Sequence, residues 1–418
     1  MTTADLAQNG RVGLVLDHAA RTGFWRPRLE AAGWEPGLPA AEAPAVLARV
    51  EILTKEELTE HGPPLRTDML SGPLREAFVF RSGGTTGKPK FAVFANGEFR
   101  ALVQPFIRTY RAAGLEDSDR VANLFAGGSL YASFVFVNRC LEELGVLNLP
   151  YMMSAPPELL AAQWDLFGLN TVLGFPTHLL QAVPAIGPGK VEKLFYAGEH
   201  LYADDRRVLR EKYGVRHIAS AGYGAVDTGL MGFQCPRCQG AEHHLLDTHA
   251  ILEIVDPETL APVPVGEPGL ILCTVLDRLL MPVLRYSIGD MGRWLDGACP
   301  CGLPERRFEL LRRGDDVLRI GIANVAYDEV LSAVGECGAM QIVKERRDGR
   351  DRLLLRIEPR GEARPSGEIR ERLFAVKPDI AKLVSTGHIA DLAIEWVAPG
   401  ELPRSPLTGK LRKTEDRA

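Results

Sequence analysis

The 418-residue sequence predicts an α/β protein, with a large N-terminal domain of helix-covered parallel sheets, a β-rich subdomain and a small C-terminal α+β domain. Three observations predict it. Between residues 121 and 219, short apolar runs alternate with longer amphipathic stretches, as in strand–helix–strand units. From His249 to Val275 the pattern shifts to strand-like runs separated by turns. Beyond Arg313-Gly-Asp-Asp316 the order changes to a short helix, a strand pair, a long helix and a last strand.

Taken in order, residues 1 to 76 read as short helices and irregular segments. Arg26 to Gly33 and Lys55 to His61 have helical character, with Thr54 as N-cap of the second. Two apolar runs, Ala77–Phe80 and Phe91–Phe94, flank Arg81-Ser-Gly-Gly-Thr-Thr-Gly-Lys-Pro-Lys90, which reads as strand, glycine-rich loop, strand. Gly97 to Ala113 carries Leu102, Phe106 and Tyr110 at four-residue spacing, an amphipathic helix. There follow strand 121–125, helix 130–144, strand 146–149, helix 157–167, strand 171–174, helix 177–185, strand 193–196, helix 203–213 and strand 215–219. Gly214 closes the last of these helices. In open parallel sheets ligands bind beyond the carboxyl ends of the strands, so the loops at 126–129, 175–178, 197–200 and 221–227 are site candidates.

Strands 251–255 and 270–275 belong to the β-rich part. The C-terminal unit reads as helix 327–334, strands 339–345 and 351–358, helix 366–384 and strand 391–397. The boundary at 313–316 divides residues 1–313 from 314–418. The Arg-rich stretch Lys344 to Arg352 reads as a solvated hairpin, with a partner surface as the second reading.

A formal net charge of −5 gives no hint of a nucleic-acid partner. Met1 to Gly10 lacks the apolar core of a signal peptide, and no run approaches bilayer-spanning length. The expectation is a cytoplasmic protein without a membrane partner. Cys140, Cys273 and Cys337 stand alone and read as inert buried thiols. The pairs Cys235-Pro-Arg-Cys238 and Cys299-Pro-Cys301 point to metal rather than to disulfides in a reducing compartment. Four such donors suit a closed tetrahedral zinc site, structural rather than catalytic.

In the loop at 82–90, glycines and threonines expose N–H groups and hydroxyls, and Lys88 adds positive charge, which suits a nucleotide polyphosphate. It is not a Walker A loop, because Pro89 follows Lys88. A hairpin turn rich in small polar residues is the plainer reading. Four further motifs follow in order: Gly222-Tyr-Gly-Ala-Val-Asp227, Arg285-Tyr-Ser-Ile-Gly-Asp290, Arg313-Gly-Asp-Asp316 and Pro403-Arg-Ser-Pro-Leu-Thr-Gly-Lys410.

Together these five motifs resemble those of the adenylate-forming superfamily of acyl-CoA synthetases, adenylation domains and luciferases. Leu53-Thr-Lys-Glu-Glu-Leu58 and the Ala197-Gly-Glu199 loop look like the phenylacetate–CoA ligase branch. The resemblance implies binding of ATP and a carboxylic acid, an acyl-adenylate with release of pyrophosphate, and transfer of the acyl group to a thiol. It implies that Ser82, Thr85, Thr86 and Lys88 bind the phosphates. Ala197, Gly198 and Glu199 would contact the adenine, with Tyr223 stacking on it and Gly222 counted with the nucleotide site. Asp290, assisted by Arg313, would hold the ribose, and Asp227 stands where a carboxylate ligates Mg²⁺. Lys410 is the adenylation lysine by position. Asp315 is the hinge about which a mobile small domain turns.

The acyl pocket would lie among Phe125, Tyr131, Ser133, Phe134, Gly174, Phe175 and Gly222, aromatic and small residues that suit an aryl or arylacetic acid. Ordinary core is their plainer reading. By the same resemblance His244 is the candidate substitute for one of the four cysteines, so which four of the five bind zinc stays open. His178 reads as a helix N-terminal residue. No general base is needed, because the acid is already ionised; bringing two anions together calls for preorganised positive charge. The acceptor would be CoA, or the phosphopantetheine of an acyl carrier protein docked on the Arg-rich face at 344–352. Gly321-Ile322, where the family commonly has Arg-Gly before Ala323-Asn-Val325, lies on the acceptor side. A non-catalytic nucleotide-binding regulator is the alternative from another class. A homodimer is compatible with the chain, whose oligomeric state is not legible in its sequence.

Overall fold

The computed structural model describes residues 3–82, 90–198, 201, 203–313, 317–335, 337–359, 364–398, 400–403, 411 and 413–417. The chain opens with α1 (Thr3–Ala19), α2 (Arg26–Ala31), α3 (Ala43–Leu47) and α4 (Lys55–His61). α1 is longer than the short helices expected. Gly10 and Gly13 weaken its intrinsic propensity, but Val12, Val15, Leu16 and Ala19 form one buried stripe, and packing outweighs propensity. α4 carries the expected cap in full. Thr54 Oγ1 accepts from the Glu57 N–H at 3.1 Å, while Glu57 Oε2 accepts from the Thr54 N–H at 2.9 Å.

β1 (Ala77–Ser82) and β2 (Lys90–Ala95) form an antiparallel hairpin in which Ser82 faces Lys90. There follow α5 (Asn96–Ala112), β3 (Arg120–Asn123), α6 (Ala132–Leu144), β4 (Leu147–Leu149), α7 (Pro157–Phe167) and β5 (Thr171–Gly174). α8 (Pro176–Ile186), β6 (Lys193–Ala197), α9 (Ala203–Glu211) and β7 (His217–Ala225) complete the alternation. β3 to β7 are parallel, as the alternation predicts.

The β-rich segment comprises β8 (Gly229–Phe233), β9 (Glu242–Leu245), β10 (Ala250–Val255), β11 (Gly269–Val275), β12 (Tyr286–Trp294) and β13 (Arg307–Arg313). It is not a separate sheet. Among the described residues one sheet of eleven strands runs β10-β11-β12-β13-β9-β8-β7-β6-β5-β3-β4. The join is β7, which continues to Ala225 instead of stopping at 219 and folds back on β8. Glycine makes that join: a Cβ on Gly224 would lie 2.3 Å from the Gly229 carbonyl oxygen. The same glycines gave the stretch its loop-like appearance.

The C-terminal part contains β14 (Val317–Ile320), β15 (Ala323–Ala326), α10 (Tyr327–Val334), β16 (Ala339–Arg347) and β17 (Arg350–Glu358). α11 (Ser366–Val376), α12 (Pro378–Ser385), β18 (Leu392–Trp396) and β19 (Thr414–Asp416) follow. One sheet, β18-β17-β16-β19, packs around an apolar core of its own that includes Val330, Ile342, Leu355, Ile369 and Leu392. The single helix expected over 366–384 is two helices. Pro378 lacks an N–H and displaces the preceding residue from helical geometry, and Lys377 has φ −125° and ψ 72°.

The Arg-rich stretch forms the expected hairpin, exposed at its tip from Arg347 to Arg350, but the charges along its two strands are paired. Lys344 is buried, with Asp416 at 3.2 Å and Asp351 at 3.7 Å. Arg352 pairs with Glu345 at 2.8 Å and Asp391 at 2.7 Å. Arg346 donates to both carboxylate oxygens of Asp205 on α9, at 2.9 and 2.8 Å, and so ties the C-terminal sheet to the main one. No helix among the described residues is long and apolar enough to cross a membrane.

Candidate active site and metal centre

Five side chains along α5 (Phe99, Leu102, Val103, Phe106 and Tyr110) form a buried or half-buried stripe. Most of that stripe forms one wall of a cavity of about 290 Å³. Phe80 and Phe94 come from the hairpin, Phe136 from α6, and Ala197, Gly198, Ala221 and Gly222 from the ends of β6 and β7. The rings meet at short range. Phe106 and Phe136 are 4.1 Å apart between centroids, Phe80 and Phe99 5.5 Å, and Phe125 meets Phe175 edge-on at 5.2 Å. Gly198 (φ +80°) is required here, because a Cβ would lie 2.6 Å from the Phe175 ring.

The polar end of the cavity is built on a buried ion pair. Lys90 Nζ lies 2.5 Å from Asp227 Oδ2 and donates to the Tyr286 hydroxyl at 2.7 Å, and that hydroxyl is 3.1 Å from the same carboxylate oxygen. Arg278, wholly buried, donates to the Asp227 carbonyl and to the Val93 carbonyl of β2 at 3.1 Å. Burial pushes the Arg278 guanidinium down to about 10, still charged at neutral pH. Burial alone would push the Asp227 carboxyl up. Lys90, Arg278 and the Tyr286 hydroxyl outweigh it and hold Asp227 below the ordinary carboxylate range. Asp227 Oδ1 is buried without a hydrogen-bond partner among the described residues.

Of the residues nominated from sequence, Phe125, Tyr131, Ser133, Phe175, Ala197, Gly198, Gly222, Asp227 and Asp290 line this cavity. Three are placed otherwise. The ring of Tyr223 packs against Phe308 and His243, at 5.8 and 6.0 Å, and its hydroxyl donates to Asp290 Oδ2 at 2.8 Å. Gly174 is a core contact: a Cβ there would lie 3.3 Å from both Leu124 and Leu179. Phe134 covers Gly127 and is likewise outside the cavity lining. Thr85, Thr86, Lys88, Glu199, Asp315 and Lys410 lie outside the described residues, as do the side chains of Ser82 and Arg313. His178 sits in the first turn of α8, where burial and the stacked His388 ring push it down to about 4.

Sequence reasoning passed over Lys90, Tyr286, Arg278 and Arg319. Lys90 ends the glycine-loop motif, where Lys88 drew the attention. Arg319 stands two residues before Gly321, and its guanidinium would lie 3.6 Å from a Cβ on Gly198.

Pairing of β9 with β13 sets His244 opposite Arg307 and brings the two cysteine pairs together. Donor atoms of Cys235, His244, Cys299 and Cys301 all lie within 4.8 Å of one another. The Sγ atoms of Cys235 and Cys299 are 3.7 Å apart, and Cys301 Sγ is 3.5 Å from His244 Nε2. A tetrahedral zinc has S···S edges of about 3.8 Å and S···N edges of about 3.6 Å, given its ordinary bond lengths. The donor set therefore fits zinc. N–H groups of Arg237 and Leu303 point at Cys235 and Cys301 Sγ at 3.4 Å, which favours thiolates. Cys238 lies 3.7 Å from Cys235 but outside the four-residue group.

No protein-family model matches the chain. A phenylacetate–coenzyme A ligase of Thermus thermophilus is 27% identical over 429 residues, spanning 95% of this chain and 92% of that protein. One from Pseudomonas putida is 24% identical over 372 residues, spanning 86% and 82%. A solved 2-hydroxyisobutyryl-CoA ligase, in complex with 2-HIB-AMP and CoA, shares the fold at a TM-score of 0.76 and 24% identity, covering 100% of this chain and 90% of that one. The fold is that of the adenylate-forming ligases. In sequence the chain is similar to phenylacetate–CoA ligases along most of its length.

Replacing Lys90 by Met leaves a buried carboxylate without its cation and should cost about 3–5 kcal/mol at pH 7. The double variant Lys90→Met/Asp227→Leu should recover much of the loss. Because Asp227 titrates below the ordinary aspartate range in the folded state, its contribution is full above that range and fades as pH falls through the folded-state pKa. Urea unfolding at pH 7 and at pH 3 measures both. Equal stability of wild type and Lys90→Met at pH 7 would count against the pair.

Proposed function

We propose that this protein activates an aryl or arylacetic acid with ATP and transfers the acyl group to coenzyme A. The observation that carries the reading is a phenylalanine-lined cavity that ends in Lys90, Asp227 and Asp290 beside the carboxyl ends of parallel strands. In the first step a carboxylate oxygen attacks the α-phosphorus of ATP. The bond to the β-phosphate breaks, and pyrophosphate leaves. In the second, the thiolate of CoA attacks the acyl carbon, and AMP leaves with the electron pair of the broken acyl–oxygen bond.

The chain's residues supply position and charge. The aromatic walls desolvate the acyl group and fix its axis, so that its carboxylate meets the phosphate already oriented. Asp290, held by the Tyr223 hydroxyl, would accept from the ribose, with Arg313 beside it on β13. Ser82, Thr85, Thr86 and Lys88 would cradle the phosphates, with Ala197, Gly198, Glu199 and Gly222 about the adenine. Lys410 would neutralise the approaching anions. Lys90 is a positioning residue: its charge is met by Asp227, and it locks Tyr286 and the hairpin at the site. The unpartnered Asp227 Oδ1 fits one contact to Mg²⁺ or its water, the phosphates supplying the other ligands. Mg²⁺ when bound would spread the charge of the departing pyrophosphate.

Residues 314–418 would act as a domain that turns about Asp315 between the two steps, with Arg346–Asp205 holding the arrangement seen here. Coenzyme A is the favoured acceptor, since relatives named for it match 86% and 95% of the chain and two of the four arginines that would greet an acidic carrier, Arg346 and Arg352, are internally paired. A structural zinc held by Cys235, His244, Cys299 and Cys301 would fasten the turn between β8 and β9 to the segment that enters β13. Free cysteines throughout the described chain suit a cytoplasmic setting.

Acid-dependent ATP–pyrophosphate exchange across aryl, arylacetic and aliphatic acids tests the first step. Exchange with an aryl acid, lost by a factor of about a hundred or more in Lys410→Ala, is expected; exchange with none would overturn the reading. Metal analysis should find about one zinc per chain, and Cys299→Ser should lose it and unfold at lower temperature. A metal-free protein of unaltered melting temperature would remove zinc from the description.

A further inference from the structure

We infer that Tyr110 recognises a polar substituent on the ring of the acid, so that the preferred substrates are hydroxylated aryl or arylacetic acids; this rests on the adenylation reading. Tyr110 is 1% exposed and lines the cavity. Its ring meets Phe195 edge-on, at 6.3 Å between centroids. Phe195 precedes Ala197 by two residues on β6, about 6–7 Å back along the strand from the end that borders the polar cluster, and the tyrosine packs against it there. It therefore marks the deep end of the cavity.

Other buried tyrosine hydroxyls have protein partners: Tyr286 bonds with Lys90 and Asp227, and Tyr196 with Arg206. Among the described residues the Tyr110 hydroxyl has none, and it is not among the polar atoms sealed from the probe of a water molecule. An unpaired phenol that opens onto a cavity is a donor waiting for an acceptor. Burial pushes its pKa well above the ordinary phenol range, which keeps the proton in place.

Its surroundings decide what that acceptor is. Leu102, Phe106, Phe136 and Val137 present hydrocarbon, and Cys140 nearby offers only a thiol, a weak partner. A water needs two to four polar partners and would find one. A flat ring that carries a hydroxyl at position 3 or 4 satisfies both features, aromatic surface against the phenylalanines and an oxygen against Tyr110. A residue of this kind sets specificity without touching the reacting atoms. Sequence reasoning placed Tyr110 in the apolar stripe of a helix and gave it no further role.

The test compares matched acids with hydroxyl, methyl or hydrogen at ring positions 3 and 4, on wild type and Tyr110→Phe. Binding is read by calorimetry, and kcat/KM by pyrophosphate exchange. The wild type should favour one hydroxyl acid over its methyl isostere by about tenfold or more in both readouts. Tyr110→Phe, which removes one oxygen, should lower that ratio about tenfold by weakening the hydroxyl acid. The same ratio in both proteins, or a wild-type preference for methyl at both positions, would overturn the inference. Exchange missing with every acid, while the calorimetric ratio holds, would contradict adenylation and leave the Tyr110 assignment standing.

Discussion

The buried pair of Lys90 and Asp227 is the constraint on which the site depends. Its two charges come from β2 and from the turn between β7 and β8, 137 residues apart, and Tyr286 and Arg278 join them from β12 and the segment before it. Burying either charge alone is costly; together, with Tyr286 and Arg278 donating, they form a rigid polar node. Arg278 also holds Val93, so the node fastens the β1–β2 hairpin onto the large sheet. The position of that hairpin relative to the strand ends is thereby an electrostatic matter as well as one of packing.

Around this node the chain uses glycine to bring surfaces closer than side chains allow. Gly198 lets Phe175 approach the end of β6, Gly222 and Gly224 let β7 fold against β8, and Gly232 lies under the Phe308 ring. Each contact closes one side of the cavity or of the adjoining polar cluster. The aromatic stripe of α5 closes another. The result is an elongated site with charge at one end and hydrocarbon at the other, which is what a reaction between an aryl carboxylate and a nucleotide phosphate requires.

Much of this was legible in the residues themselves. Apolar runs of four flanking the glycine loop gave the hairpin, and alternation from 121 to 219 gave four of the five parallel strands to within two residues, with β7 ending six residues later than expected. Thr54 was legible as an N-cap, though not the reciprocal bond from Glu57. The cysteine spacing pointed to a cluster of donors, since two close pairs need only one strand pairing to meet, but not to Cys238 standing outside the group that His244 joins. What stayed hidden has physical causes. β8 and β12 carry glycines and bulges that interrupt the period-two pattern, so a strand reads as a motif loop. The charges of the 344–352 hairpin look solvated until their acidic partners, distant in sequence, are folded beside them. Lys90 and Tyr110 stood in strand and helix patterns that explain them without function; only a cavity and an ion partner distinguish them. Gly174 and Phe134 show the converse, small and aromatic residues near the site that serve packing.

The most direct test is a crystal structure with a sulfamoyl-adenosine analogue of an aryl acyl-adenylate, which resists hydrolysis and spans both ends of the site. The ring should lie between Phe99, Phe106 and Phe136, the sulfamate beside the Lys90–Asp227 node, and the ribose hydroxyls on Asp290. An analogue bound elsewhere, with the phenylalanine cavity still empty, would contradict the assignment of one cavity to both halves of the reaction.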